Sequence, residues 1–549
     1  MRHAPHFAST LDESRRTATR QWVTIYDGAM RMQQASVSVV DTSARWRSVL
    51  AGLASVSAGF GAAEIAAALL APAASPLLVV GAFVIDLSPG WLKETVIGLF
   101  GTADKLVLLI ALGLLVAVLA AVAGVLEQWK PPWGRLLILI VGSVGILAAT
   151  TRANASALAA VPSAIAILVG IVVLAVLTRR LARERTVESA SGTGVGRRTV
   201  IAAAAVTAGL GILAAVGGRI ISAGIQSVDA ARRLFTLPHP AVVAAPVPPG
   251  ASLDVPGITP LVTRNADFYR IDTALVVPAV DPATWSLTIT GLVERELTIT
   301  FNELLALPLE ESYTTLACVS NYVGGGLIGN ARWLGYPIRN LLARAAPHAS
   351  ADMVLSRSID GFTASTPLAA LTDERNAILA VGMNGQPLPA EHGFPVRMVV
   401  PGLYGYVSAT KWVTELKVTR FADDVAYWTQ LGWSRRGPVK LSSRIDTPRA
   451  SGSLKAGSVM IAGVAWSQHV GISRVEVRVD GGQWTDANLA DAISADTWRQ
   501  WAMPWEATHG AHTLTVRATN AAGTLQTSAV APVVPDGATG LHSITVSVS

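Results

Sequence analysis

Cysteine is nearly absent from this chain, which has only Cys318 among its 549 residues. A single cysteine cannot form an internal disulfide, so its thiol is either an inert buried group or a reactive, ligating one. The strand-like run 313–317 ends at Cys318, and a polar turn and three glycines at 324–326 follow. Glycine allows a backbone to approach a ligand closely, and a thiolate suits a soft or high-valent metal. These neighbours favour a ligating role for Cys318.

Other sequence features are also missing. None of the nine histidines lies in a long apolar run, which excludes a transmembrane haem held by two histidines. There is no haem-attachment motif and no zinc pattern of cysteines and histidines. Basic residues are not interleaved with aromatic ones in a patch, so no nucleic-acid partner is predicted.

Hydrophobic residues are abundant, at 51% of the chain, and the excess lies in the first 220 residues. A bilayer-spanning helix needs about 20 apolar residues. Five runs meet this length approximately, at 49–70, 105–126, 134–151, 156–178 and 199–217. A sixth region, 76–100, is interrupted by Asp86, Pro89, Lys93 and Glu94, and we expect a re-entrant or interfacial element there. The first 220 residues therefore predict an all-α transmembrane bundle.

Arginine placement predicts the topology of this bundle. Arginines cluster in the N-terminal arm (Arg15, Arg16, Arg20, Arg31, Arg45, Arg47) and after Thr178 (Arg179, Arg180, Arg183, Arg185, Arg197, Arg198). Positive loops stay in the cytoplasm, so an even number of spans separates the two clusters and the last span carries the chain outside. The expected location is a multi-pass protein of the cell membrane, with everything after about 218 on the extracytoplasmic side.

Two features of this half stay open. The bundle is either a plain anchor or a docking site for a quinone or an electron-transfer partner, with Asp86 and Glu94 as the acids to probe. The pair Arg197–Arg198 before a weakly apolar run is either a signal for export of folded proteins or a stop-transfer charge cluster.

Composition divides the chain into five segments. We predict a cytoplasmic arm at 1–48, the transmembrane domain at 49–220 and a proline-rich linker at 221–262. Mixed patterns, such as a strand at 285–289 and a helix at 301–307, predict an α+β domain at 263–435. Alternating strands with turn signals, including an Asp-Gly-Gly hairpin turn, predict an immunoglobulin-like β-sandwich at 436–549.

A second constellation lies in the stretch 391–412. His392, Arg397 and Lys411 flank an apolar strand and a glycine-containing turn. Cations beside free backbone N–H groups form a phosphate site, although a surface strand with solvated ends has the same pattern. The nearby match of Gly324, Gly326 and Gly329 to a dinucleotide fingerprint lacks the following helix and acid, so nicotinamide binding is disfavoured.

Together these stretches resemble the sulfite oxidase family of molybdopterin enzymes over about 255–549. The matching motifs are TRNADFY (263–269), ACVSN (317–321), IGNARWLG (328–335), DGFTASTPL (360–368), MNGQPLP (383–389) and HGFPVRMVVPG (392–402). Three C-terminal stretches are similar to the family's dimerisation domain: AGSVMIAGVAW (456–466), VEVRVDGGQW (475–484) and WRQWAMPW (498–505). The protein could therefore form a homodimer, which the sequence does not decide. The resemblance implies a molybdenum–molybdopterin cofactor, oxygen-atom transfer and a central domain of sulfite oxidase type.

The resemblance also implies roles for individual residues. Cys318 would be the metal ligand and a catalytic residue, together with Trp433, which aligns with the family's active-site tyrosine, and Arg264 of the first motif. The implied cofactor-binding residues are Asn265, Phe268, Tyr269, Asn321, Asn330, Asp360, Ser365, His392, Arg397, Ala409, Thr410 and Lys411.

Departures from the family pattern concern the substrate. Tyr322 and Val323 replace paired arginines that hold the anion in sulfite-oxidising members, and Ala266 replaces a histidine. Arg435 and Arg436 could restore the lost charge. We therefore expect a sulfoxide-like rather than a small oxyanion substrate, with electrons exchanged with a separate cytochrome or membrane quinol system. The alternatives are a sulfite dehydrogenase and a non-catalytic, membrane-tethered binding module.

Overall fold

The computed structural model describes residues 45–71, 74–89, 92, 95–96, 99–100, 104–151, 157–191, 196–225, 232, 235–450 and 453–549. Residues 1–44 of the predicted arm (1–48) and Glu94 therefore lie outside the described residues. The chain forms two compact units. The first contains the helices between 45 and 224 apart from residues 85–104, and the main part of the second is 225–549.

Helices make up the first unit. By length and composition four of them are apolar enough to cross a membrane: Arg45–Leu70, Lys105–Trp129, Trp133–Thr150 and Val161–Arg183. The predicted fifth span is part of a helix whose described apolar stretch, Ala204–Gly217, is shorter. In the described part of this unit the helices are α1 (Arg45–Leu70), α2 (Pro76–Leu87), α3 (Asp104–Trp129), α4 (Trp133–Thr150), α5 (Val161–Ser191) and α6 (Gly196–Ile225).

Two details of these helices differ from the sequence prediction. Helix α5 continues beyond Thr178 to Ser191, so the arginine cluster expected in a loop is partly helical. Leucine, alanine, arginine and glutamate all favour helix, which explains the extension. A further acid, Glu64, lies inside α1 at 3% exposure and accepts a 2.5 Å hydrogen bond from Ser75. The prediction that named only Asp86 and Glu94 missed it.

Helices α1 and α3 pack through small residues. A Cβ added at Gly52 would lie 2.0 Å from the carbonyl oxygen of Ala120, and one added at Gly124 would lie 1.9 Å from that of Ser48. Any side chain at either position would force the two backbones apart. Close backbone approach through glycine is the usual way in which apolar helices associate without a hydrophobic driving force.

The second unit contains four sheets. Two belong to the central part, with strand orders β2-β1-β10-β5-β6 and β3-β4-β7-β8, and β9 pairs with β7. The other two form the C-terminal sandwich, with orders β11-β13-β17-β16 and β12-β19-β18-β14-β15. The strands are β1 (Ser286–Gly291), β2 (Leu297–Thr300), β3 (Glu310–Ala317), β4 (Ile328–Pro337), β5 (Met353–Ser358), β6 (Thr363–Pro367), β7 (Ile378–Met383), β8 (Gln386–Pro387), β9 (Arg397–Val399), β10 (Val413–Thr419), β11 (Ser442–Thr447), β12 (Ser453–Leu454), β13 (Gly457–Trp466), β14 (Ile472–Val479), β15 (Thr485–Asp486), β16 (Asn488–Leu489), β17 (Arg499–Ala507), β18 (Gly510–Asn520) and β19 (His542–Val548).

Short helices connect the central strands. They are α7 (Phe301–Leu305), α8 (Ile338–Ala345), α9 (Leu368–Thr372), α10 (Gly405–Ser408) and α11 (Tyr427–Gln430). Helix α7 begins at a capping box, in which Thr300 and Glu303 satisfy each other's backbone N–H groups. Phe301 and Leu304 then face the core, where they join Trp285 and Leu287 of the first sheet.

Residues 235–262 contain one short 3₁₀ turn, Pro249–Ala251, and no periodic element, as expected for a proline-rich segment. They nevertheless pack against the central domain. Ala241 donates a 2.7 Å backbone hydrogen bond to Leu309, and Val242 forms a parallel bridge with Glu310 at the start of β3. Prolines lack backbone donors but leave their carbonyls free to accept, so the segment can lie along a strand edge.

Candidate active site

One cavity in the second unit collects most of the residues singled out in the sequence. Its wall includes Cys318 on the loop after β3, the segment that follows the predicted first motif, and side chains from four other loops. The lining residues are Phe268, Tyr269, Ile271, Asp272, Thr273, Cys318, Val319, Ser320, Ser358, Asp360, Phe362, His392, Arg397, Gly405, Tyr406, Ala409, Lys411, Trp412, Trp428 and Trp433.

Cys318 occupies the first position of a closed loop. Its backbone N–H donates to the Leu327 carbonyl at 2.9 Å, and its own carbonyl accepts from Asn321 at 3.1 Å. The Asn321 side chain in turn accepts from the Leu327 N–H at 2.8 Å. The thiol is 8% exposed, and burial raises its pKa, while hydrogen bonds to Ser320 oppose that rise. A buried thiol at a cavity wall becomes a thiolate when a metal displaces its proton.

Three buried cationic or basic side chains form the second part of the wall. Arg397 is 5% exposed, and its guanidinium donates only to carbonyls, of Met398 at 3.3 Å, His392 at 3.1 Å and Ala409 at 3.4 Å. Within the described residues, no carboxylate pairs with it. A buried charge without a counterion is costly, and this arrangement fits an anionic ligand at the cavity.

Lys411 does have a carboxylate partner. Its ammonium donates to Asp272 at 2.8 Å and to the Glu391 carbonyl at 2.9 Å. Asp272 also pairs with Arg270 at 3.0 Å, so Arg270 and Lys411 share one carboxylate, while the neighbouring Arg397 pairs with none among the described residues. The cluster therefore keeps an excess of positive charge.

The electrostatic consequences are large because these groups are buried. Burial lowers the pKa of Lys411 to about 8, although Asp272 partly offsets the shift. Burial, and then repulsion by Arg397 and Lys411, lowers the pKa of His392 to about 3, so this imidazole is neutral at pH 7. Its Nε2 lies 3.1 Å from the Asn265 carbonyl, which can only accept, so Nε2 carries the hydrogen and Nδ1 is left as an acceptor.

Gly393 explains how three bulky basic residues can meet. Its φ is +112°, and an added Cβ would lie 2.9 Å from Cβ of Arg397 and 3.2 Å from Cβ of Lys411. A side chain at this position would separate the turn from both. Phe268 completes the packing, because its ring meets His392 edge-on at 5.6 Å and stacks on Tyr269 at 5.2 Å.

Aromatic side chains form the remaining part of the wall. The Trp433 ring lies 6.1 Å from that of Trp428 and 5.9 Å from that of Tyr406. Tyr406 is fixed by a 2.6 Å hydrogen bond to the Ser434 carbonyl. Phe362 and Asp360 also line the cavity, and the Asp360 carboxylate accepts a 3.1 Å hydrogen bond from the Phe362 N–H. Trp433 is 5% exposed, so it is both a packed core residue and a wall residue.

Arg264 is not among the residues that line the cavity, and its catalytic role stays a prediction from the resemblance. Its side chain is 80% exposed and forms an ion pair with Asp267 at 2.5 Å. The two residues are three apart on a short 3₁₀ turn, and this spacing directs the guanidinium to its local carboxylate.

Five predicted cofactor-binding residues have structural partners instead of lining the cavity. Asn321 closes the Cys318 loop, as described above. The Asn330 amide bonds Thr315 at 3.1 Å and the Leu261 carbonyl at 2.9 Å. Ser365 donates to the Arg435 carbonyl at 3.3 Å, and Thr410 pairs with Ser356 at 2.7 Å. Asn265 supports the wall indirectly, through its carbonyl to His392.

The residues that differ from the family pattern do not restore a cationic clamp. Tyr322 is 56% exposed and is not among the wall residues. Arg436 lies over the Phe421 ring at 5.5 Å, and Arg435 donates to the Phe421 carbonyl at 3.1 Å. Both arginines are exposed, and neither lines the cavity.

Sequence reasoning missed Asp272, Tyr406 and Trp428. Asp272 lies four residues beyond Phe268, and a carboxylate close to a recognised motif was a usable signal. Tyr406 lies between the HGFPVRMVVPG motif and Lys411, and its aromatic ring could have been singled out on the same ground. Trp428 carried no signal, because its position at the wall depends on a contact with Trp433 across the turn that follows α11.

Comparison with known proteins gives independent matches. Residues 274–428 match the family model of the oxidoreductase molybdopterin binding domain, and 442–516 match that of the bacterial Ig domain. Mitochondrial sulfite oxidase of Mus musculus is 31% identical over 288 residues, covering 44% of this chain and 52% of that protein. The uncharacterized oxidoreductase YuiH of Bacillus subtilis is 32% identical over 157 residues, covering 29% of this chain and 76% of that protein.

A solved structure matches the same region. The sulfane dehydrogenase SoxCD from Paracoccus pantotrophus is 24% identical, with a TM-score of 0.45 and coverage of 49% of this chain and 76% of that one. The chain spans about half the length of the mammalian mitochondrial sulfite oxidases it matches.

The wall residues fit the cofactor of that family. A single thiol suits a metal that receives its other ligands from a cofactor, and within the described residues no cluster of three or more His, Cys, Asp or Glu side chains could hold a metal by itself. Arg397, buried without a carboxylate, fits the cofactor's phosphate. These matches identify the cofactor as molybdenum–molybdopterin and confirm the recognition made from the motifs. The chain belongs to the sulfite oxidase family of molybdopterin-dependent oxidoreductases.

Proposed function

We propose that this protein transfers oxygen atoms at a molybdenum ion ligated by Cys318. One observation carries the proposal: the only thiol of the chain and an un-neutralised buried guanidinium, that of Arg397, line the same cavity. When bound, the cofactor supplies a metal that exchanges an oxygen atom and two electrons with the substrate. The protein supplies the ligand, the anion site and the shape of the cavity.

Each group of wall residues has a task in this proposal. Cys318 provides the sulfur ligand, and its own burial keeps bulk water from the thiolate. Arg397 and Lys411 bind the phosphate end of the cofactor. Neutral His392, oriented by its bond to Asn265, offers Nδ1 as an acceptor for a ring N–H, while Phe268 packs against its edge.

The aromatic residues favour a neutral substrate. Trp428, Trp433, Tyr406 and Phe362 supply apolar surface, and the same part of the wall presents no cation. A small dianion such as sulfite needs fixed cations, and the cations that line the wall belong to the anion site. We therefore propose an organic sulfoxide-type substrate, reduced to the thioether with release of water.

A second candidate is sulfite oxidation. It is favoured by the names of several relatives, among them the sulfite oxidases of Mus musculus and Arabidopsis thaliana. In that reaction the substrate would reach the metal without a clamp from the wall, and the Michaelis constant for sulfite would be high. Comparing the two substrates on one preparation separates the candidates.

We also propose a membrane anchor. The four long apolar helices, a fifth crossing by α6, whose described apolar stretch is Ala204–Gly217, and the arginine clusters support a cytoplasmic N-terminus and an extracytoplasmic catalytic domain, with the interrupted 76–100 element on the outer side. Electrons would come from a separate cytochrome or membrane quinol system, because the sequence holds no haem-attachment motif. The proposal includes a homodimer formed through the C-terminal domain.

The test is a metal and substrate assay on detergent-purified full-length protein from a host that makes the cofactor. We expect about one molybdenum and one pterin per chain, and faster turnover with a dialkyl or methionine sulfoxide plus reduced dye than with sulfite plus an oxidised dye. Rapid, tight sulfite oxidation would replace the substrate proposal. Folded protein without molybdenum would contradict the enzyme and favour a tethered binding module.

A further inference from the structure

Cys318 lies between two attachments to the C-terminal domain, residues 436–549. The first attachment is on strand β3, at Thr315, three residues before the cysteine. β3 is an edge strand, so one side of it lacks a strand partner. There the Thr315 N–H donates to the Asp496 carbonyl at 3.0 Å, and its hydroxyl accepts from the Trp498 N–H at 2.8 Å. Gln468 donates to the Thr315 carbonyl at 3.3 Å.

The second attachment is on the glycine loop that follows Cys318. Arg444 donates from Nη1 to the Gly325 carbonyl at 2.8 Å. The His542 ring lies against Gly324 so closely that an added Cβ would be 2.2 Å from Cδ2 and 2.3 Å from Nε2. Gly324 also has a φ of +79°, which disfavours any side chain.

Arg444 and His542 are themselves fixed by neighbouring groups. Arg444 is 8% exposed and pairs with Asp446 at 2.6 Å, and its Nη2 donates to Thr259 at 2.8 Å. The His542 Nδ1 accepts a hydrogen bond from the Ile445 N–H at 3.0 Å. An acceptor at Nδ1 places the ring hydrogen on Nε2, and the bond fixes the ring plane against the glycine loop.

We propose that the C-terminal domain positions the thiol for metal binding, with Arg444 and His542 as positioning residues. Between its two attachments, the chain segment 315–325 has little freedom to move Cys318 away from the cavity. Loosening the second attachment would expose the thiol and weaken its hold on a metal. The effect on metal binding rests on the proposed function, whereas the effect on the thiol does not.

The single cysteine makes the proposal directly measurable. In cofactor-free full-length protein, iodoacetamide modifies Cys318 alone among the thiols, and the rate reports the exposure of that one group. Gly324→Ala collides with His542, and we expect alkylation about tenfold faster than in the wild type. Gly326→Ala is the matched control, because its Cβ meets nothing within 4 Å, and its rate should stay within about twofold.

A double variant distinguishes the contact from general strain. His542→Ala removes the colliding ring, so Gly324→Ala should raise the rate less in that background than in the wild type. Part of the effect remains because alanine at φ +79° is strained wherever His542 points. Equal effects of Gly324→Ala in both backgrounds would overturn the role of His542.

Arg444→Lys covers the case in which Gly324→Ala does not fold. It keeps the charge but loses the fork that reaches Asp446, Thr259 and Gly325 together, and we expect about fivefold faster alkylation with unchanged circular dichroism. If iodoacetamide alkylates Gly324→Ala and Arg444→Lys no faster than it alkylates Gly326→Ala, the proposal is overturned. In loaded protein, the same variants should lose molybdenum faster on dialysis. A wild type that never binds molybdenum would contradict the proposed function, and the alkylation rates would still decide the positioning role.

Discussion

The cavity wall contains two groups of side chains with opposite chemistry. In the cationic group, Arg397 and Lys411 are both buried, and the carboxylate of Asp272 pairs with Lys411 and Arg270 but not with Arg397. In the aromatic group, Trp428, Trp433 and their neighbours present rings and no cation. The first group is built to hold an anion. The second favours a neutral or weakly polar molecule, and this contrast is the basis for proposing that the first group binds the cofactor phosphate and the second binds the substrate.

Substitution of Arg397 should have the largest effect on this contrast. Arg397→Met keeps the side-chain length and removes the un-neutralised charge, so we expect cofactor affinity to fall about 100-fold. The stability of cofactor-free protein should not fall, because the lost charge had no carboxylate partner. Molybdenum per chain after dialysis and the thermal midpoint of the cofactor-free protein give both values. If Arg397→Met retains as much molybdenum as the wild type, the cationic group does not bind the cofactor phosphate.

The pH dependence of anion binding tests Lys411. With a pKa of about 8, Lys411 loses its proton as the pH rises from 7 to 9 in cofactor-free protein. Binding of pyrophosphate should therefore weaken about tenfold over this range. The free energy of unfolding changes in the opposite direction over pH. Between pH 8 and 10.5 the unfolded chain holds a proton on this lysine that the folded protein lacks, so the folded state becomes more stable as the pH rises.

Calorimetric titrations at three pH values provide the measurement for Lys411. Lys411→Met should bind weakly at every pH and show no such decline. A wild type with constant affinity from pH 7 to 9 would show that Lys411 does not serve the anion. His392, with a pKa of about 3, should contribute nothing between pH 5 and 9.

Substitution of Trp433 sharpens the other half of the comparison. Trp433→Leu removes ring contacts to Trp428 and Tyr406 worth about 1.5 kcal/mol, so kcat/KM for a sulfoxide should fall about tenfold. The molybdenum content should not change, because the cationic group is intact. Loss of metal together with activity would show that the aromatic group supports the cofactor as well.

The smallest effect is expected at Arg264, which also serves as a control for Arg397. Its guanidinium is exposed and paired with Asp267, so Arg264→Ala should change metal content and kcat/KM by less than about twofold. The same two assays apply. A tenfold loss would restore Arg264 to the catalytic residues.

Local sequence patterns predicted the secondary-structure elements better than they predicted which residues line the cavity. Alternation at 285–289 corresponds to β1 (Ser286–Gly291), because a half-buried strand places apolar residues at every second position of the sequence. Four residues could be singled out from the sequence, because the residue types in the short motif around each one indicate its chemistry. They are Cys318, His392, Arg397 and Lys411. These four all line the cavity.

The rest of the wall depends on contacts between distant segments. Arg264 and Arg397 are both arginines in family-like motifs, and only the fold shows that one is paired at the surface and the other is buried. Asn330 shows a second limit of sequence-based prediction. Its motif can be recognised, but its side-chain amide forms hydrogen bonds with Thr315 and the Leu261 carbonyl and does not line the cavity. The Arg444 and His542 contacts join residues more than 100 positions apart and leave no local signal.

The ligation of molybdenum by Cys318 is the central claim, and X-ray absorption at the molybdenum edge tests it most directly. The full-length wild type and Cys318→Ser should be compared after loading in the same host, with Gly326→Ala as a folded control. The account predicts one fewer sulfur ligand at the metal in Cys318→Ser than in the other two. An unchanged sulfur count in Cys318→Ser would show that the metal does not bind this thiol and would contradict the account.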